Sequence, residues 1–351
     1  MPKQLSEFVY KKLSELISLR TGLNFSETKW QDLKRGLERA KGDFGFQDVD
    51  TFVKRLLSAQ ISNQEVEMLA SHLTIGETYL FREKSSLEAL QNRVLPEIIQ
   101  ERKNGRRCIK IWIAGCSTGE EAYTIAIILK KLFPDIQNWK LTISATDINP
   151  ESLNKAKAGI YSQWSFRDTP VWVKEQCFTV NQEGRAVVRP EIRDMLSFSL
   201  HNLADDNYPS PDNNTEDVDI ILCRNVLMYF STETSIKVAK RFYRALVNGG
   251  WLIVSQTELS NILFAEFERV EFPGAILYRK TLSKKTQQNV VPARPIVRKT
   301  ETRLAAQGYK TNSLAPPPPP TRIPRGTVSI RTRPVRRCSG TTCPCVGGRQ
   351  G

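Results

Sequence analysis

An α/β fold is predicted, with a doubly wound parallel sheet that carries a small inserted antiparallel piece and follows an all-α bundle. Three observations predict it. From about residue 105, apolar runs of strand length alternate with stretches of helical apolar spacing. Before residue 75 only the helical period is present. Between about 160 and 200, two short apolar runs flank Asn181-Gln182-Glu183-Gly184-Arg185, a turn-forming segment.

Taken in order, Leu5, Phe8, Val9, Leu13, Leu16 and Ile17 form one helical stripe that Gly22 closes. Ser26 is placed to cap a second helix with Trp30, Leu33 and Leu37. Val49, Phe52, Val53, Leu56 and Leu57 mark a third helix, and Val66, Leu69 and Leu73 a fourth. The second helix carries Lys29, Lys34, Arg35, Arg39 and Lys41 against Glu27, Asp32 and Glu38. Two readings stand for it: a solvated surface, or a cationic face for an acidic partner helix. Further on, strands are expected at 109–114, 141–146, 218–223, 250–256 and 275–280, with helices at 120–132, 150–157 and 232–247. Residues 177–180 and 186–189 give the inserted hairpin, and 195–200 a further strand. In such a sheet, ligands sit at the carboxyl ends of the strands.

A chain of 351 residues has room for more than one domain. Three segments are expected: a bundle over 1–75, an α/β domain over 76–281 with its insertion at about 160–200, and a tail over 282–351. The net charge of +14 is concentrated at one end. From Thr281 onward, 14 Lys and Arg face one acid, Glu301, whereas residues 1–280 hold 37 basic and 36 acidic groups. Basicity therefore speaks for the tail alone, and no nucleic-acid partner is expected of the folded part. The tail, with Pro316 to Pro320 and few large apolar residues, has the composition of a disordered segment. Cys108, Cys116, Cys177 and Cys223 lack paired ligand spacing, and Cys338, Cys343 and Cys345 cluster in the tail with no His nearby. With His72 and His201 the only histidines, a His-based triad is nearly excluded and no metal is expected. No apolar run reaches the ~18 residues of a membrane span, so a cytoplasmic protein without membrane insertion is expected.

The most informative stretch is Ile111-Trp112-Ile113-Ala114-Gly115-Cys116-Ser117-Thr118-Gly119-Glu120-Glu121, a strand, a glycine-bearing turn and the start of a helix. Asp147, at the tip of the next strand, is placed to take ribose hydroxyls. The loop lacks the Gly-Lys-Ser/Thr of a phosphate cradle, and Glu120 and Glu121 would repel a pyrophosphate. A cationic nucleoside fits better, and S-adenosylmethionine is one.

With ETYLFRE, AGCSTGEEAYTIAI, ATDINPESLNKAKAGIY, CRNVLMYF and GGWLIVSQTE in that order, residues 5–280 resemble the CheR family. These are methyltransferases that esterify glutamates of bacterial chemoreceptors. The resemblance implies a Rossmann-like S-adenosylmethionine-dependent methyltransferase domain, with S-adenosyl-L-homocysteine as product. It places Gly76, Thr78, Arg82, Glu121, Asp147, Asn202, Leu203, Cys223, Arg224 and Asn225 at the cofactor. Gly76 departs from the usual Asn there. Arg82 and Tyr229 are implied beside the transferring methyl group. For Arg82 a domain-linking salt bridge with Glu83 is an alternative, and for Tyr229 a buried aromatic beside Phe230. The implied partner is the cytoplasmic helices of methyl-accepting chemoreceptors, with Lys34, Arg35 and Arg39 facing them. The hairpin around Gly184 is shorter than in members that grip a receptor's C-terminal pentapeptide, so no such tethering is expected, and a monomer is. The rival reading is a non-catalytic cofactor-sensing or scaffolding module of the same fold.

Overall fold

The computed structural model describes residues 6–281, apart from 75, 104, 106 and 133–137. The basic segment from 282 onward, with Cys338, Cys343 and Cys345, lies outside the described residues, as does Leu5.

Four helices come first: α1 (Glu7–Thr21), α2 (Trp30–Ala40), α3 (Val49–Ser58) and α4 (Asn63–Leu73). Gly22 ends α1 in the left-handed region at φ 78°. Asp48 caps α3 by accepting the Thr51 N–H, and Ser62 with Glu65 forms a reciprocal capping box on α4. The second helix starts later than expected, because residues 27–29 form a 3₁₀ turn and the Ser26 hydroxyl pairs with Thr28 Oγ1 at 3.0 Å. In α1 the buried face is set by Tyr10, Leu13 and Ile17, while Phe8 stays 66 % exposed. The expected stripe is thus rotated, since Tyr10 is drawn inward to stack on Trp30 at 5.7 Å.

Residues 84–102, assigned no element from the sequence, form α5 (Lys84–Ala89) and α6 (Leu95–Arg102) around a π-helical turn. The sheet strands are β1 (Cys108–Ala114), β2 (Lys140–Asp147), β6 (Leu196–Leu200), β7 (Val218–Leu222), β8 (Leu246–Ile253), β9 (Glu268–Phe272) and β10 (Ala275–Arg279). Their order is β6-β2-β1-β7-β8-β10-β9. The first five are parallel, and β10 runs antiparallel to both of its neighbours, β8 and β9. The expected all-parallel sheet is therefore mixed, because Pro273-Gly274 closes a tight β9–β10 hairpin with Gly274 at φ 71° and no crossover helix intervenes. The small sheet is β3 (Ile160–Tyr161), β5 (Ala186–Val188) and β4 (Phe178–Val180). The strand expected near 195–200 belongs not to this piece but to the edge of the main sheet, pairing in parallel with β2 from Ile143↔Leu196 to Asp147↔Leu200.

Both faces of the sheet are covered, by α7 (Glu120–Leu132) on one and α11 (Thr232–Ala245) on the other. Alternation along β1 divides the core accordingly. Ile109, Ile111 and Ile113 join Leu87, Leu95 and the apolar residues of α7. Trp112 and Ala114 join Val238 and Phe242 of α11. One charge is buried inside the sheet: Asp219 of β7, which accepts the Arg102 guanidinium fork and the Lys110 N–H at 2.8 Å. α8 (Pro150–Ala158), capped by Asn149, α9 (Val171–Cys177) and the short α10 (Pro190–Arg193) complete the helices of the described residues.

His201, just past β6, sits edge-on to Trp112 and Tyr208. Burial, reinforced by the charge of Arg241, lowers its pKa from 6.5 to about 4. The unfolded chain therefore takes up this proton first as pH falls. Stability is complete above pH 6.5 and is lost as pH falls toward 4, by about 2 kcal/mol at pH 5. Urea unfolding at pH 7 and pH 5 should show that His201→Gln removes a loss of this size that the wild-type chain suffers.

Candidate active site

Loops at the carboxyl ends of β1, β2, β6 and β7 surround a cavity of about 310 Å³. The strand order reverses beside β1, where a doubly wound sheet opens a crevice. The loop after β1 requires its first glycine: Gly115 has φ 84°, and a Cβ there would stand 2.4 Å from Val226 Cγ2. Asp147 is fixed from both sides, its Oδ1 accepting the Asn149 N–H at 2.9 Å and its Oδ2 the Ser117 N–H at 2.7 Å.

Of the residues implicated by sequence, Gly76, Thr78, Arg82, Glu121, Asp147, Asn202, Leu203, Arg224, Asn225 and Tyr229 all line this cavity. Cys223 does not. It is fully buried in the core beside Ile221 and Val254, because the in-out alternation of β7 points it away from the crevice. Burial pushes its thiol pKa well up. The Asn202 amide is committed to the fold, donating to Arg20 O and Asp205 Oδ1 at 2.9 Å each.

Arg224 is not a free cation. Its side chain is 4 % exposed, pairs with Glu121 at 2.6 Å and Glu83 at 3.4 Å, and donates to Arg82 O at 2.6 Å. Glu83 is thus engaged by Arg224 rather than by Arg82. Arg82 instead donates through Nη1 to Glu77 O at 2.8 Å and lies over the Tyr79 ring at 5.8 Å. Tyr229 is half-buried. Burial raises its pKa, against the opposing charge of Arg82, so the phenol remains a hydrogen-bond donor at neutral pH.

Two residues that sequence reasoning passed over organise the site. Glu258 is buried and accepts the main-chain N–H groups of Asn225 at 2.7 Å, Val226 at 2.7 Å and Met228 at 3.2 Å, together with the Ser255 hydroxyl at 2.6 Å. It holds the loop leading to Tyr229. The spacing Ser255-x-x-Glu258 is a capping-box signature that the sequence already displays. The second residue is Ser117, whose hydroxyl is buried without a partner in the cavity wall. A Cβ at Gly76 would stand 3.1 Å from that hydroxyl.

A second hollow of about 300 Å³ shares Leu23 and Tyr229 with the first, and Lys29, Asp32, Arg35 and Arg39 also line it. Within it Arg35 pairs with Asp32, and Arg39 donates to His72 O at 2.7 Å. Lys29 lies 6.0 Å from the Tyr229 ring centroid.

Burial raises the Glu121 and Asp147 carboxyl pKa values, opposed at Glu121 by Arg224 and at Asp147 by the N–H groups of Asn149 and Ser117. A cationic ligand relieves that cost and an anionic one increases it. The acids lining the cavity and the orphan Ser117 hydroxyl suit a polar, positively charged nucleoside, as S-adenosylmethionine is. Fold and site together define a Rossmann-like, S-adenosylmethionine-dependent methyltransferase.

A family model described as the CheR methyltransferase, SAM binding domain, matches residues 76–273. The chemotaxis protein methyltransferase of Borreliella burgdorferi is 31 % identical over 252 residues, which cover 70 % of this chain and 87 % of that protein. Chemotaxis protein methyltransferase 1 of Pseudomonas aeruginosa is 34 % identical over 218 residues, covering 61 % and 77 %. Chemotaxis protein methyltransferase 2 of Vibrio cholerae is 32 % identical over 224 residues, covering 64 % and 76 %. The chain belongs to the CheR methyltransferase family.

Replacing Glu258 by Ala strands four main-chain N–H groups, those of Asn225, Val226, Met228 and Ser255, at about 1 kcal/mol each. Urea unfolding should register a loss of about 4 kcal/mol. Glu258→Gln, which retains an amide oxygen acceptor, should recover part of it, and an unchanged midpoint in Glu258→Ala would leave the loop's position to the main chain alone.

Proposed function

We propose that this chain methylates glutamate side chains on the cytoplasmic helices of chemoreceptors, giving glutamate methyl esters and S-adenosyl-L-homocysteine in chemosensory adaptation. The observation that carries the reading is the meeting of the two hollows at Tyr229, one lined by acids suited to the cofactor and the other by Lys29, Arg35 and Arg39. The names of its relatives support the chemosensory setting.

When bound, S-adenosylmethionine supplies an electrophilic methyl group. A glutamate carboxylate, with a reference pKa near 4.3, is already ionised at neutral pH, so the chain needs no general base. Its task is positioning. Asp147 would hold the ribose hydroxyls of the cofactor, and Glu121, itself held by Arg224, would balance its positive charge. The Arg82 guanidinium, its base fixed on Glu77 O, holds the incoming carboxylate by paired hydrogen bonds. Tyr229, a protonated phenol, donates to the attacking oxygen and orients it. The helices of residues 1–75 form the receptor-facing part, and residues 76–281 the transfer domain. Cys223 offers the cofactor only its main chain.

The experiment is transfer of labelled methyl from S-adenosylmethionine to receptor-containing membranes, scored as base-labile label. Arg82→Ala should lower kcat by about a hundredfold, and Tyr229→Phe by about tenfold. Asp147→Ala should weaken S-adenosylhomocysteine binding by about tenfold to a hundredfold in calorimetry. Cofactor binding without transfer to any receptor would turn the reading to a non-catalytic sensor of the same fold.

A further inference from the structure

A stack of alternating rings and cations leads outward from the cavity wall. Tyr79 lines the cavity, and Arg82 lies over its ring. The Arg167 guanidinium carbon lies 3.7 Å from the Tyr79 ring centroid and 4.3 Å from that of Trp164. The segment bearing Trp164 and Arg167 is tied beside the cavity wall, with Leu80 N–H donating to Ser165 O at 3.0 Å. Trp164 nevertheless stays 63 % exposed. An indole left in water forgoes much of the burial available to a large aromatic, and exposed aromatics next to arginine characterise the centres of protein interfaces.

Arg167 is preorganised. Its side chain is 24 % exposed, and its Nη1 donates to Trp164 O at 3.1 Å. Its one carboxylate partner among the described residues is Glu77, 3.6 Å away and 70 % exposed. A contact so open contributes little and is readily replaced by an incoming carboxylate. Positive charge thus stands against two different rings of the cavity wall: Lys29, Arg35 and Arg39 share a hollow with Tyr229, and Arg167 stacks on Tyr79.

We infer that Tyr79, Arg167 and Trp164 form a second docking point for the methyl-accepting helix, on the far side of the reacting glutamate from α2. Arg167 takes an acidic side chain within about two helical turns of the target, and Trp164 is covered by an apolar side chain of the same helix. The inference rests on the proposed methylation and specifies its substrate: a helix with acids on both flanks of the modified residue.

The test is steady-state methylation of receptor membranes by the full chain, alongside S-adenosylhomocysteine calorimetry. Trp164→Ala and Arg167→Ala should each raise KM for the receptor about fivefold to tenfold. Both kcat and S-adenosylhomocysteine affinity should stay within about twofold of wild type. Arg167→Glu should be rescued by a receptor Glu→Lys change on one flank of the target and not on the other. Unchanged KM in both alanine variants of an active enzyme overturns the inference. So does a loss of S-adenosylhomocysteine affinity at constant KM, which makes the stack an internal brace. A wild-type dimer that Trp164→Ala dissociates without change in KM assigns the surface to a second copy of the chain and overturns it likewise. A wild-type chain that labels no receptor fails at the reaction itself, and this docking assignment falls with it.

Discussion

The ion cluster around Arg224 is the constraint on which the site depends. A guanidinium removed from water costs several kcal/mol unless its hydrogen bonds and charge are met. Here the charge is met by Glu121 at the head of α7 and Glu83 ahead of α5, and the two terminal nitrogens donate to Glu121 and to the carbonyl of Arg82, while Nε is buried without a hydrogen-bond partner. Those partners come from two separate stretches of chain, 82–83 and the head of α7, and Arg224 itself from a third. Satisfying one buried charge thereby fixes the loop after β7, the entrance of α7 and the residue proposed to hold the substrate.

The proposed reaction suits a chain with two histidines, one of which, His201, is buried in the cavity wall with its pKa lowered to about 4. An ionised carboxylate attacking a methyl sulfonium calls for alignment and dehydration rather than proton transfer. The groups at hand are strong donors and fixed acids, each held by a second group: Arg82 by Glu77 O, Asp147 by two main-chain N–H groups, and the Tyr229 loop by Glu258. Burial raises the pKa of the Glu121 and Asp147 carboxyls by disfavouring their charge, a cost that a cationic nucleoside offsets.

Most of this was legible because strand and helix periods are local. The β1–α7–β2 unit, the strand-tip position of Asp147 and the existence of the four leading helices follow from apolar spacing, and tertiary packing altered only the buried face of α1 and the start of α2. What escaped depends on distant partners. Strand 196–200 reads the same locally whether it joins a small insertion or the edge of the main sheet, and only its pairing with β2, about 50 residues earlier, decides. Glu258 binds N–H groups some 30 residues away, so its role is invisible until the chain is folded. The Cys223 side chain lies outside the cavity lining for the opposite reason. A motif marks a stretch of backbone, while strand alternation decides which of its side chains reach the crevice.

The junction between Leu23-Asn24 and Tyr229-Phe230 gives the first helices more than a covering role. Leu23 bridges Phe230, and Asn24 N–H donates to Tyr229 O at 2.7 Å. The phenol's backbone is therefore shared between the sheet's rim and the turn that follows α1. Lifting the helical layer to exchange spent nucleoside for fresh would unpin that same backbone. Any displacement of the turn after α1 is in this way felt at the phenol, because the two share one pair of main-chain contacts.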